Sequence, residues 1–197
     1  MPEFKNTQTA LNLMKAFAGE SQARMRYTYY AKVATKQGYH QIANIFIETA
    51  DNEKEHAKIF YKKLIEHGMN EEVIVLNDAG YPIALSDETK KNLQYAANGE
   101  KEEWTLLYPS FAETAEKEGY ADVATAFKLI AKVEEKHEKR YSKLVQNLTN
   151  ETVFKKANKV SWKCLNCGFV VDNNNAPDEC PACKHAKSYF EVLAENY

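Results

Sequence analysis

The sequence predicts a four-helix bundle followed by a small β unit held together by a metal. Three observations carry that prediction. Helical periodicity runs from residue 7 to about residue 148, and two Glu-x-x-His motifs, Glu53–His56 and Glu134–His137, sit in corresponding places of two look-alike halves. All four cysteines fall between 164 and 183, as two Cys-x-x-Cys pairs.

The elements follow in order. A first helix is expected from about Thr7 to Lys36, stopped by Gly38, and a second from about His40 to His67, stopped by Gly68. Residues 69–85 read as a long connection, with a strand-like Val73-Ile74-Val75-Leu76 and a turn at Gly80-Tyr81-Pro82. Ser86 suits the N-cap of a third helix, which ends at Gly119 and which Pro109 should kink. The fourth helix spans about Asp122 to Gln146. Short 1–2 and 3–4 connections make two antiparallel hairpins, and the long 2–3 connection allows a bundle-crossing topology. The domain reading is therefore a bundle over 1–148, a linker over 149–160 and a cysteine unit over 161–197, the last too small to fold without a metal staple.

The hairpins repeat each other. At an offset of 81 residues Ala43 falls on Ala124, Phe46 on Phe127, Ala50 on Ala131, Glu53 on Glu134 and His56 on His137. Gly19-Glu20 matches Gly99-Glu100 at an offset one residue shorter.

The bulk numbers exclude several classes. A net charge of −2 with no basic patch argues against nucleic acid. No export signal and no apolar run of transmembrane length are seen, so no membrane partner and a cytoplasmic location are expected. Paired cysteines in such a chain suggest a metal site rather than disulfides.

Helical spacing sets the candidate ligands on apolar stripes. The fourth helix gives Val123, Phe127, Ile130, Glu134, His137, Tyr141, Leu144 and Leu148, and the second gives Ile42, Phe46, Thr49, Glu53, His56, Phe60 and Leu64. The first gives Leu13, Phe17, Glu20, Tyr27 and Ala31, and the third Leu93, Ala96, Glu100, Glu103, Leu107 and Thr114. Glu55, Glu102, Glu135 and Glu138 lie off the stripes and read as solvated charges, and His40, His67 and His185 as surface residues. Five carboxylates cannot share a core uncompensated. Arg24 is the one cation read onto a stripe nearby, so two metal ions are expected instead. Carboxylates with one imidazole per ion suit iron or manganese better than copper or zinc. Tyr27 and Tyr108 follow Glu20 and Glu100 by about two turns; their hydroxyls either bond the ligand carboxylates or simply pack.

Cys164-x-x-Cys167 and Cys180-x-x-Cys183, twelve residues apart, make a strong tetrathiolate signal for zinc or a single iron. Gly168, Pro181 and the redox-type bundle alongside favour iron.

With both sites in view, the chain resembles the rubrerythrin family over essentially its whole length: a ferritin-like di-iron bundle with a C-terminal rubredoxin-like domain. The resemblance assigns Glu20, Glu53, His56, Glu100, Glu103, Glu134 and His137 to two irons. It assigns Cys164, Cys167, Cys180 and Cys183 to a third. Glu103 departs from the duplication, with Ala23 in the equivalent place. In the family that glutamate exchanges with the first-hairpin histidine, here His56. Phe169 stands where rubredoxins often have tyrosine, which bears on the potential and not on the site. The resemblance implies reduction of hydrogen peroxide to water, with Glu103, His56, Tyr27 and Tyr108 taking part. Electrons come from an external donor, a rubredoxin or an NAD(P)H-dependent reductase, and the family assembles as a homodimer or larger oligomer. A ferroxidase, a dioxygen-reducing protein or a zinc-ribbon binding module are the rival expectations.

Overall fold

The computed structural model describes residues 3–196. Five helices and three strands follow in order: α1 Gln8–Lys36, α2 His40–Glu66, α3 Thr89–Glu102, α4 Tyr108–Lys117, α5 Ala121–Thr149, β1 Lys155–Cys164, β2 Val170–Asn175 and β3 Phe190–Val192. The first two pair as one hairpin, and α3 and α4 together pair with α5 as the other, giving the expected ferritin-like bundle.

Local chemistry explains the helix ends. The Thr7 side chain accepts the N–H of Ala10 and caps α1. Gly38 and Gly119 take left-handed φ values of 80° and 89°. That lets the next N–H, from Tyr39 and Tyr120, reach back to the carbonyls of Ala34 and Ala115 in a Schellman closure. The two halves therefore end their first helical legs by the same device.

Several expectations change. Val73–Leu76 forms no strand: Val73 and Val75 are exposed and no neighbouring strand offers a ladder. The connection instead lies along α1, where Lys15 pairs with Asp78 at 2.7 Å, Tyr81 Oη donates to the Lys15 carbonyl at 3.2 Å and Tyr30 Oη to that of Ala84 at 2.6 Å. Ser86 does not cap the third helix. Its Oγ accepts from the Glu88 N–H in a turn that the Asn92 side chain closes, and α3 begins only at Thr89. The predicted Pro109 kink takes the form of a π-helical turn, Glu103–Leu107, immediately before α4. Proline cannot donate to the carbonyl four residues back, and the wider turn absorbs the break.

That turn inserts one residue into the helical register. The inward stripe beyond Glu103 is therefore Tyr108, Ala112 and Ala115, not Leu107 and Thr114. It also accounts for the change of repeat offset between Glu100 and Tyr108.

Two apolar clusters fill the bundle. One gathers Tyr27, Tyr30, Phe46, Leu93 and Tyr141, and the other Leu13, Phe60, Tyr108, Val123 and Phe127. The cysteine unit is a three-stranded antiparallel sheet in the order β2-β1-β3 around Trp162 and Phe190. Strand β1 starts at Lys155, inside the stretch read as linker. Its first half is largely exposed, with a register irregularity between Lys155 and Val160, so no alternation of apolar residues announces it. Among the described residues no helix is long and apolar enough to cross a membrane.

Candidate metal centres

Each leg of the bundle delivers its carboxylate to the same level. Glu20, Glu53, Glu100 and Glu134 are at most 1% exposed, and His56 and His137 are 7% and 4% exposed. They form two overlapping groups whose donor atoms lie within 4.8 Å of one another. One is Glu20, Glu53, His56 and Glu134; the other is Glu53, Glu100, Glu134 and His137. Glu53 and Glu134 belong to both and stand between two pseudo-symmetric halves.

The donor set fits two metal ions better than a hydrogen-bond network. His56 Nδ1 lies 2.9 Å from Glu53 and 2.9 Å from Glu134, and a single N–H cannot serve both. His137 Nδ1 faces Glu134 at 2.8 Å, Glu53 at 3.3 Å and Glu100 at 3.5 Å, yet satisfies none with proper geometry. Glu20 Oε2, Glu53 Oε1, Glu100 Oε2 and both Glu134 oxygens are buried without a hydrogen-bond partner. Such orphaned acceptors are costly unless a cation sits among them.

The electrostatics agree. Burial, reinforced by Glu134 and Glu53, holds the Glu20 carboxyl well above the ordinary range, and burial with Glu53 raises Glu100. Burial opposes charge on the imidazoles, but the carboxylates outweigh it: His56 is pushed up to about 10 and His137 to about 12. The site calls for positive charge and, without metal, takes it as protons.

The tyrosines bond the carboxylates, and they do so crosswise. Tyr27 of the first hairpin donates to Glu100 of the second at 2.5 Å, and Tyr108 of the second donates to Glu20 of the first. Burial first, and the adjacent carboxylates next, keep both phenols protonated as donors.

Glu103 stands outside both four-residue groups. It lies on the wall of a cavity of about 240 Å³ bounded by α1, the π-helical turn and residues 78–82. Burial and Glu100 raise its carboxyl well above the usual range, while Arg26 works the other way. Two contributors escaped sequence reading. Asn52 Oδ1 lies 3.3 Å from His137 Nε2, which leaves Nδ1 turned to the carboxylates. Arg26 is a cation beside Glu103, on the wall of the same cavity. Asn52 follows Asp51 in a polar run, and Arg26 falls between stripe positions, so neither stood out. His40, His67 and His185 stay out of the cluster. His67 pairs with Asp122 at 3.2 Å, and His40 and His185 flank Tyr189 at ring distances of 4.1 and 4.6 Å.

The cysteine site is built from two matching knuckles. Gly168 and Lys184, each following the second cysteine of its pair, have φ of 77° and 62°. Their N–H groups donate to the carbonyls of Cys164 and Cys180, both at 2.9 Å. Cys164 and Cys180 in turn donate to the carbonyls of Phe169 and His185, both at 2.8 Å. The Cys164–Cys183 and Cys167–Cys180 sulfur separations are 3.7 Å, too long for disulfides and close to the edge of a tetrahedron with metal–sulfur bonds of about 2.3 Å. The His185 N–H stabilises the Cys183 thiolate and draws it down to about 6.

Comparison with known proteins follows these two sites. The family model described as rubrerythrin matches residues 12–145, and that described as rubrerythrin, rubredoxin-like domain, matches residues 162–191. Rubrerythrin-1 of Clostridium acetobutylicum is 57% identical over all of both chains. The structure of fully reduced, all-ferrous nigerythrin is 29% identical, with a TM-score of 0.63 over 95% of this chain and 90% of that one. A Desulfovibrio desulfuricans bacterioferritin, 20% identical, shares the fold with a TM-score of 0.64 over 76% of this chain and 85% of its own.

Proposed function

The chain belongs to the rubrerythrin family, and from that premise we propose that it reduces hydrogen peroxide to water, with electrons relayed through its four-cysteine iron site. The overall change is H2O2 + 2 e− + 2 H+ → 2 H2O. The observation that carries the reading is the presence, in one chain, of a buried carboxylate–imidazole cluster and a tetrathiolate electron site.

Glu20 with His56, and Glu100 with His137, would hold one iron each, and Glu53 and Glu134 would be shared. The pair of irons supplies Lewis acidity and two one-electron equivalents. The remaining work belongs to the side chains. Tyr27 and Tyr108 fix the orientation of the terminal carboxylates Glu100 and Glu20 by donating to them. Asn52 holds the His137 ring. The apolar clusters above and below exclude water, so peroxide is best admitted through the cavity on whose wall Glu103 stands. Glu103 is the ligand we expect to alternate with His56.

Cys164, Cys167, Cys180 and Cys183 would hold an iron that supplies single electrons, two for each peroxide. Within one chain Tyr189 of the cysteine unit rests on His40, and Glu53 lies about 20 Å further along α2. That span favours a homodimer in which the cysteine unit of one chain serves the bundle of the other. An external donor, a rubredoxin or an NAD(P)H-dependent reductase, refills it, in a cytoplasmic setting that suits free thiols.

Anaerobic stopped-flow tests the reading. Fully reduced protein mixed with peroxide should regain its ferric-thiolate absorbance rapidly, and more slowly with dioxygen. Faster recovery with dioxygen would replace the peroxidase by an oxidase. Iron uptake into a mineral without recovery of the thiolate band would favour a ferroxidase, a role in which the four cysteines have no part.

A further inference from the structure

Arg26 has no part in the chemistry so far, yet one of its guanidinium nitrogens is left over near the site. Its Nη1 is buried and has no hydrogen-bond partner. It lines the same cavity as Glu103, from the α1 side, with the π-helical turn opposite. A buried guanidinium nitrogen left unpaired is costly, and the natural occupant is a carboxylate, which it grips as a fork. Of the other acids on this wall, Asp78 is held by Lys15 and Glu102 is exposed. That leaves Glu103, which stands outside both donor groups on the same wall as Arg26.

We propose that Arg26 is a positioning residue for Glu103, its guanidinium receiving the Glu103 carboxylate across the shared cavity whenever that carboxylate is off the metal. The inference rests on the reading of Glu103 as an exchangeable ligand, and adds where it goes. A carboxylate that leaves an ion inside a protein must otherwise be stranded or protonated. With Arg26 on the same wall, the exchange trades one cationic partner for another. Arg26 thereby stabilises the reduced state, in which His56 replaces Glu103.

The test is a redox titration of the iron-loaded full-length protein as wild type, R26M, E103Q and the double variant, with R26K as a milder control. Removing Arg26 should lower the midpoint of the diiron steps by about 59 mV, a tenfold change per electron. Most of that drop should vanish in the E103Q background, because no carboxylate is left to receive. R26K, keeping the charge but not the fork, should fall between. An equal drop in both backgrounds would mean that Arg26 acts only as a distant charge, and no drop at all would mean that it does nothing; either overturns the proposal. If E103Q alone leaves the midpoint unmoved, the exchangeable-ligand reading itself fails and takes the proposal with it.

Discussion

Glu103 is the residue on which chemistry and architecture part. Glu103→Ala should leave iron bound, since both four-residue groups remain, while slowing peroxide turnover; stopped-flow and iron analysis on one sample separate the two effects. The tyrosine hydroxyls are open to a similar check. Tyr27→Phe strips Glu100 of a buried donor, and Tyr108→Phe does the same to Glu20, so each should cost about 1–3 kcal/mol in denaturant unfolding of the metal-free protein. The titrating groups predict a direction with pH. The imidazoles His56 and His137 and the carboxyls Glu20, Glu100 and Glu103 all have folded pKa values raised above the unfolded ones. Their contribution is complete below the unfolded values and is lost as pH rises through the folded ones. Metal-free protein should therefore unfold more easily as pH climbs from about 6.5 toward 10, and bound metal should flatten the slope. Thermal melts across that range, with and without ferrous iron, measure it. At this scale the sequence was informative where residues sit on a stripe, as Glu53 and His137 do, and silent where they approach from the side, as Arg26 and Asn52 do. Periodicity finds what faces the core. It does not find a side chain that curls back toward it from an intermediate face.

Among the elements, the π-helical turn separates what was legible from what was not. The spacing from Glu100 to Tyr108, one residue longer than from Glu20 to Tyr27, already records the insertion, but helical spacing alone carried the stripe on to Leu107. Excising one residue from the turn, by deletion of exposed Thr105, should restore a regular helix across the junction. Pro109 opposes this, so the expected result is a bundle that still folds but is less stable, with Tyr108 brought to the same spacing from Glu100 as Tyr27 has from Glu20 and still facing Glu20. Circular dichroism gives the fold, and the absorbance of the iron-loaded protein gives the site. The strand-like Val73–Leu76 teaches the converse. Its residues favour strands, but propensity without a neighbouring edge leaves an extended segment tied down by Lys15 and Asp78.

For the whole molecule, the division of labour between bundle and sheet predicts independent failure. Cys167→Ser should release iron from the cysteine site, abolish its visible band and melt the small unit, while the helical signal persists. Light scattering on the intact protein should report a dimer; a monomer with full turnover would remove the need for one chain to serve another. The bundle, its topology and the four-cysteine unit were legible because repeats and metal spacings are strong signals. The start of β1 was not, because a strand with both faces exposed carries no pattern.

The crosswise bonds of Tyr27 to Glu100 and Tyr108 to Glu20 have a historical consequence. Each half of the gene encodes one glutamate, one Glu-x-x-His and one tyrosine, and each tyrosine serves the opposite half. A single hairpin of this kind, paired with its own copy, would bring together the same symmetric set of side chains. What such a pair had no means to encode is a difference between its members. Glu103, with Ala23 opposite it in the repeat, and the added residue behind it are that difference, and they became possible only once the two copies were written as a single gene.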